Sequence, residues 1–150
     1  MGLNKHKKEI LLSKGKIKEL KKELKGIKKQ VLKHYEAEHE TILASMREAA
    51  SFDVTIKVKQ SRLNTLKNIL KNVKVLPSKI DSDKVILGSW IELRDENDKI
   101  IKYRIVHPLE ADPKRSLLSV ESPLGTLLLN KEVNSIVNLN EREYRIVSIE

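Results

Sequence analysis

The chain has 150 residues and no cysteine. That excludes disulfides and thiolate metal ligands, and it fits an intracellular, cytoplasmic protein. Aromatic residues make up only 3% of the chain against 34% charged residues. A well-filled globular core uses more aromatic bulk, so part of the chain is expected to form an elongated element with a narrow buried seam. Apolar runs are short, as at Leu127-Leu128-Leu129, far below the roughly 20 residues that span a bilayer. Lys5, Lys7 and Lys8 lead into no apolar signal core, so no membrane attachment is expected. There is no Gly-rich phosphate loop, nucleophile elbow or zinc signature. His6, His34, His39 and His107 lack ligand spacing, so no metal or cofactor of the chain's own is expected.

What the chain does have is positive charge in one place. Residues 1–34 hold twelve Lys and three Glu, whereas residues 35–150 hold eighteen basic and eighteen acidic residues. The whole net charge of +9 therefore lies on the first quarter. Such a field suits a polyanion such as RNA or DNA, and it equally fits a solvated helix face.

Ile10, Ser13, Ile17, Leu20, Leu24, Ile27 and Val31 recur in steps of three and four, a heptad seam expected to run as helix from Ile10 to Thr41. Gly15 and Gly26 each cost about 1 kcal/mol against Ala in a helix interior, so this helix needs a partner. Phe52, Ile56, Lys59, Leu63, Leu66, Leu70 and Val73 form a second seam that stops before Pro77. Two seams with a polar turn between them predict an antiparallel coiled-coil hairpin. Val54, Ile56 and Val58 alternate with polar residues and could form a strand, but the later leucines continue the helical seam and favour helix.

Residues 77–84 are a linker by composition. Beyond them the period changes to two. Strands are expected at Ser89 to Leu93, Ile100 to Val106 and Leu117 to Val120, with a closing hairpin of Val137 to Leu139 and Tyr144 to Val147 around Asn140. Ser122-Pro123-Leu124-Gly125 opens a short helix, with Ser122 as N-cap and Pro123 in the first turn. The fold class is α+β: a hairpin over 1–76, a linker, and a small antiparallel β domain over 85–150.

Several stretches of this second half resemble the Gre family, the bacterial transcript cleavage factors GreA and GreB. They are Leu87-Gly88-Ser89, Tyr103-Arg104-Ile105-Val106, Glu110-Ala111-Asp112 and Leu118-Ser119-Val120-Glu121-Ser122-Pro123-Leu124-Gly125. Their order and spacing follow the family over roughly 85–149. The first half matches in layout, with Ile17 to Leu24 and Arg62 to Leu70 resembling the two arms. The resemblance implies an FKBP-like C-terminal domain that docks on the rim of the RNA polymerase secondary channel. It also implies a hairpin that enters the channel of a paused or backtracked polymerase. Glu110, Ala111, Asp112 and Pro113, with Ser122, Pro123, Leu124 and Gly125, are the docking residues it implies. Turn and cap chemistry alone could also explain them. Lys18, Lys21, Lys22, Lys25, Lys28, Lys29 and Lys33 are the implied basic arm facing nascent RNA or DNA.

In the family, tip carboxylates help to hold a second magnesium ion at the polymerase active site, where two metals stabilise the attacking and leaving oxygens. Here the tip departs. The family's Gly-Asp, followed after two residues by Glu-Asn-Ala-Glu-Tyr, falls on Glu38-His39-Glu40-Thr41-Ile42-Leu43-Ala44-Ser45. One register puts Thr41 and Ala44 at the two carboxylate positions; the other puts Ile42 and Ser45 there. Glu36, Glu38, Glu40, Thr41 and Glu48 remain the tip candidates, as magnesium-side acids or as ordinary helix-surface residues. Ile42, Leu43 and Met46 suit a tip that blocks without cutting. Asn130 and Asn134 stand where the family commonly has Gly, and Asn is the side chain most tolerant of left-handed backbone.

The sequence reading is thus a monomeric, non-enzymatic elongation factor, at most stimulating the polymerase's own cleavage with Mg2+ shared at that site. Alternatives are a non-cleaving Gre-like regulator or a coiled-coil nucleic-acid-binding protein. A peptidyl-prolyl isomerase is suggested by the fold alone, and the scarcity of aromatics argues against it.

Overall fold

A computed structural model describes residues 9–40, 46–77, 80 and 82–150, and their side chains except those of 37–40 and 46–53. Two compact units emerge, one joining residues 9–10 to 14–74 and one joining 11–13 to 75–150.

The first unit is a pair of packed helices. Strand β1 (Ile10–Leu12) precedes helix α1 (Lys14–Glu40), and helix α2 (Met46–Asn72) leads into strand β2 (Val73–Val75). Each helix has 27 residues, roughly 40 Å of axis at about 1.5 Å per residue. The less exposed side of α1 is the predicted seam of Ile17, Leu20, Leu24, Ile27 and Val31. That of α2 includes Ile56, Lys59, Leu63, Leu66 and Leu70. Leu20, Ile56 and Leu66 are its buried members, and Val54 and Val58 lie exposed on α2. The alternation at 54–58 is therefore a helix with one inward residue.

The expected start of the first arm is corrected. Ile10–Leu12 is a strand, paired with β2 in a two-stranded ribbon. Leu12 is fully buried, and its carbonyl accepts from the Leu76 amide at 2.8 Å. Three consecutive apolar residues do not fit one helical face, and the ribbon uses them instead. Val73, assigned to the second seam, likewise belongs to β2.

Across the hairpin, the Arg62 guanidinium donates to both carboxylate oxygens of Glu23, at 2.7 and 3.1 Å. The hydrogen bond from Arg62 holds the Glu23 carboxyl below the usual carboxylate range. Gln60 donates to the Tyr35 hydroxyl at 2.5 Å.

The second unit is a curled five-stranded sheet with one short helix. Its strands are β3 (Trp90–Asp95), β4 (Ile100–Val106), β5 (Leu117–Ser119), β6 (Ile136–Leu139) and β7 (Arg142–Ile149), in the order β5-β4-β3-β7-β6. Helix α3 (Pro123–Leu128) follows β5. Ile91, Leu93, Ile105 and Ile146 alternate onto one face and pack with Val85, Leu128 and Val137. Tyr103 and Tyr144 pack against this core. Trp90 projects on the opposite face, with Lys102 Nζ at 5.8 Å and the Arg104 guanidinium at 5.9 Å from its ring.

One strand departs from the expected antiparallel order: β5 runs parallel to β4. A hairpin turn would return the chain antiparallel. Residues 107–116 instead make two 3-10 turns, Pro108–Glu110 and Pro113–Arg115, and bring the chain back in the same sense.

The turns explain several residues. Asn130 and Asn134 have φ of 62° and 69°, the left-handed backbone expected of them. Asn140 and Glu141, between β6 and β7, both have positive φ, at 51° and 64°. This is the type I′ pattern that suits the twist of a two-residue hairpin. Glutamate is poorly suited to its place there, because its Cβ crowds the following carbonyl. Glu141→Gly is expected to stabilise the second unit by about 0.5–1 kcal/mol, read as a thermal midpoint raised by a few degrees.

Candidate functional site

The two motifs singled out at 110–113 and 122–125 meet at one edge of the sheet, because both are anchored to β5. Asp112 and Leu117 exchange backbone hydrogen bonds, both at 3.0 Å. The Ser122 hydroxyl donates to the Ser119 carbonyl at 2.7 Å.

Most of the eight residues have structural partners. Glu110 ends the first 3-10 turn, and its carboxylate accepts from Ser13: Oε2 from the backbone amide at 2.9 Å, Oε1 from the hydroxyl. These residues are 97 positions apart, and nothing in the sequence pattern pairs them. Ser13, assigned to the helical seam, instead precedes α1 and faces this carboxylate. Ser13→Ala removes the hydroxyl bond and keeps the amide one, so it is expected to cost about 1–2 kcal/mol. Glu110→Ala, which removes both, is expected to cost more, and urea unfolding of the full chain ranks the two.

Asp112 caps the second 3-10 turn, its Oδ1 accepting from the Lys114 amide at 3.0 Å. Ser122 caps α3 as predicted, accepting from the Gly125 amide at 3.1 Å, and Pro123 occupies the first turn. Leu124 packs against the core. Gly125 is buried, and a Cβ there would lie 2.0 Å from the Ser119 carbonyl oxygen. Ala111, Pro113 and Pro123 are the exposed members. The free surface of this edge is thus narrower than the motifs suggest. His107 also contributes locally, Nδ1 accepting from the Leu109 amide at 3.2 Å.

The basic arm is laid out on α1 with Lys18, Lys21, Lys22, Lys25, Lys28, Lys29 and Lys33 all exposed. Among the described residues of the hairpin, ion pairs join Lys16 to Glu19, Arg62 to Glu23 and Lys74 to Glu9. Glu36 is exposed near the end of the described side chains. Thr41 lies outside the described residues, as do the side chains of Glu38, Glu40 and Glu48. Among the described residues, no group of three or more His, Asp or Glu could hold a metal ion. Among the same residues, no helix is long and apolar enough to cross a membrane. The exposed apolar pair Leu32 and Tyr35 on α1 was not anticipated. Its signal was a step of three that falls off the seam.

Residues 80–150 match the family model described as transcription elongation factor, GreA/GreB, C-terminal. The transcription elongation factor GreA of Acholeplasma laidlawii is 35% identical over 92 residues, 61% of this chain and 58% of that protein. GreA of Thermotoga maritima is 28% identical over 95% of this chain and 97% of its own length. Among the first relatives, the chain spans about half of their length, from 40% to 60%. The crystal structure of GreA factor homolog 1 (Gfh1) of Thermus thermophilus is 24% identical, with a TM-score of 0.44 over 95% of this chain and 99% of that one. A hairpin of two long helices followed by a curled sheet domain is the architecture, and the sheet domain lies within the residues that match the GreA/GreB C-terminal model. Residues 80–150 are thus similar to the C-terminal domain of GreA/GreB transcription elongation factors, and the chain as a whole is similar to GreA of Thermotoga maritima.

Proposed function

We propose that the chain binds bacterial RNA polymerase at the rim of the secondary channel and inserts its hairpin there to act on paused or backtracked complexes. The match of residues 80–150 to the GreA/GreB C-terminal domain carries this reading. The two 27-residue helices supply an element of the required kind. The docking contact is assigned to the β5 edge, with Ala111, Pro113 and Pro123 as its free surface and Glu110, Asp112, Ser122, Leu124 and Gly125 as its frame. The chain is no enzyme in this reading. Any catalytic Mg2+ is the polymerase's own, and the chain acts as a monomer in the cytoplasm.

The tip sequence favours the non-cleaving form of this function. Neither alignment register places two carboxylates where the family has them; Thr41 and Ala44, or Ile42 and Ser45, stand there instead. Occupying the channel without supplying magnesium ligands would block entry rather than promote RNA cutting.

Gel filtration with purified bacterial core polymerase tests the binding. Co-elution is expected, and Pro113→Ala should weaken it on the order of tenfold while leaving the thermal midpoint almost unchanged. Elution apart from polymerase, with salt-sensitive retention on free RNA or DNA, would replace this reading by a plain nucleic-acid binder.

A further inference from the structure

Lys21, Lys25, Lys28, Leu32 and Tyr35 follow one another in steps of four, three, four and three along α1. Residues so spaced share one helix face, and all five are exposed. Together they make a stripe roughly 21 Å long at about 1.5 Å per residue. Its basic part ends in two apolar side chains, Leu32 at 60% and Tyr35 at 47% exposure. Glu36 comes next and closes the stripe.

Tyr35 is the notable member. Other aromatic rings with described side chains are occupied: Tyr103 and Tyr144 against the core, and Trp90 beneath two cations. Tyr35 is exposed, but it is also held. Gln60 of α2 donates to its hydroxyl, and the His34 ring meets it edge-on at 6.1 Å between centroids. A hydrogen bond at the phenol oxygen fixes the ring without covering its faces. Leaving so large an apolar surface in water offers the isolated chain no stability.

We infer that Tyr35 is a stacking platform for an unpaired base of a single-stranded nucleic acid whose phosphates run along Lys21, Lys25 and Lys28. This rests on the nucleic-acid reading of the basic arm and adds strand selectivity to it. Lysines alone attract any polyanion, duplex included. An aromatic face rewards only bases free to unstack from their neighbours. Leu32, one turn before Tyr35, extends the apolar floor under the same base.

The full chain is titrated into fluorescein-labelled oligouridine RNA, oligothymidine DNA and a duplex of equal length, with fluorescence anisotropy as the readout. Tyr35→Ala should weaken single-strand binding about fivefold or more and leave duplex binding unchanged. Tyr35→Phe, which keeps the ring, should bind within about twofold of the parent. Lys28→Glu should weaken both strand forms and flatten the salt dependence. Tighter binding to RNA than to DNA assigns the transcript as ligand, the reverse assigns a DNA strand, and either supports stacking. Equal losses on single strand and duplex with Tyr35→Ala, or no loss on either, would overturn the inference. Circular dichroism confirms that Tyr35→Ala keeps its helices. Co-elution with polymerase is scored separately, so a failed stacking test leaves the docking proposal standing, and a failed docking test leaves the stacking result intact.

Discussion

Gly125→Ala should destabilise the second unit by about 3 kcal/mol or more, a loss at the upper end of overpacking changes. The reason is geometric. The added methyl would sit 2.0 Å from the Ser119 carbonyl oxygen and 3.0 Å from the Ser122 hydroxyl oxygen. A flexible side chain could swing away, but the Ser119 carbonyl belongs to β5, whose pairing with β4 fixes it in the sheet. The Ser122 hydroxyl is also held, since it caps α3 and donates to that same carbonyl. Relief would require α3 to lift from β5, which would pull buried Leu128 out of the core. Thermal unfolding followed by Trp90 fluorescence should show the midpoint falling on the order of 10 °C or more. Pro123→Ala, one residue from the N-cap and exposed, should cost well under about 1 kcal/mol. If the two variants melt alike, the close approach of α3 to β5 is not what the glycine provides.

Leu66→Ala should be the corresponding blow to the first unit. The side chain is fully buried, and among the described side chains Leu20 and Ile56 are the other buried members of that seam. A seam this narrow has few neighbours that can collapse into the space, so the loss should fall within the roughly 2–5 kcal/mol of large-to-small core changes. Helix pairs also lack reserve, because isolated helices are marginal in water and depend on the packed face. Gly26, in the interior of α1, adds to that dependence. Helical circular dichroism should lose a large part of its cooperative transition in Leu66→Ala. Val58→Ala, at a position 64% exposed on the same helix, should change it little.

The sequence made the elements legible where one force dominated. The seams from Ile17 to Val31 and from Ile56 to Leu70 were readable because burial on a helix enforces a period of three and four. The strands were readable because Ile91, Leu93, Ile105 and Ile146 alternate. Asn130 and Asn134 announced left-handed backbone through their residue type. Legibility failed where long-range pairing decided the outcome. Ile10–Leu12 looks like the head of a helical seam until β2, more than sixty residues away, offers it a strand partner. The parallel setting of β5 depends on two 3-10 turns whose local signals, His107-Pro108 and Asp112-Pro113, mark turns without saying which way the chain leaves them. At the candidate site, the motif was found by resemblance, but its division of labour was not. Glu110 answers to Ser13, and Gly125 answers to the Ser119 carbonyl. Neither relation has a sequence period, so neither could be read beforehand.

Transcript cleavage by a backtracked elongation complex, driven by an active Gre cleavage factor and challenged with this chain, is the most direct test of action through the polymerase channel. If the proposed function holds, RNA shortening should slow as the chain is added, because the two proteins would then compete for one entrance, and the chain alone should give no shortened RNA. Undiminished cleavage at saturating chain, with the chain migrating apart from the complex, would contradict that role.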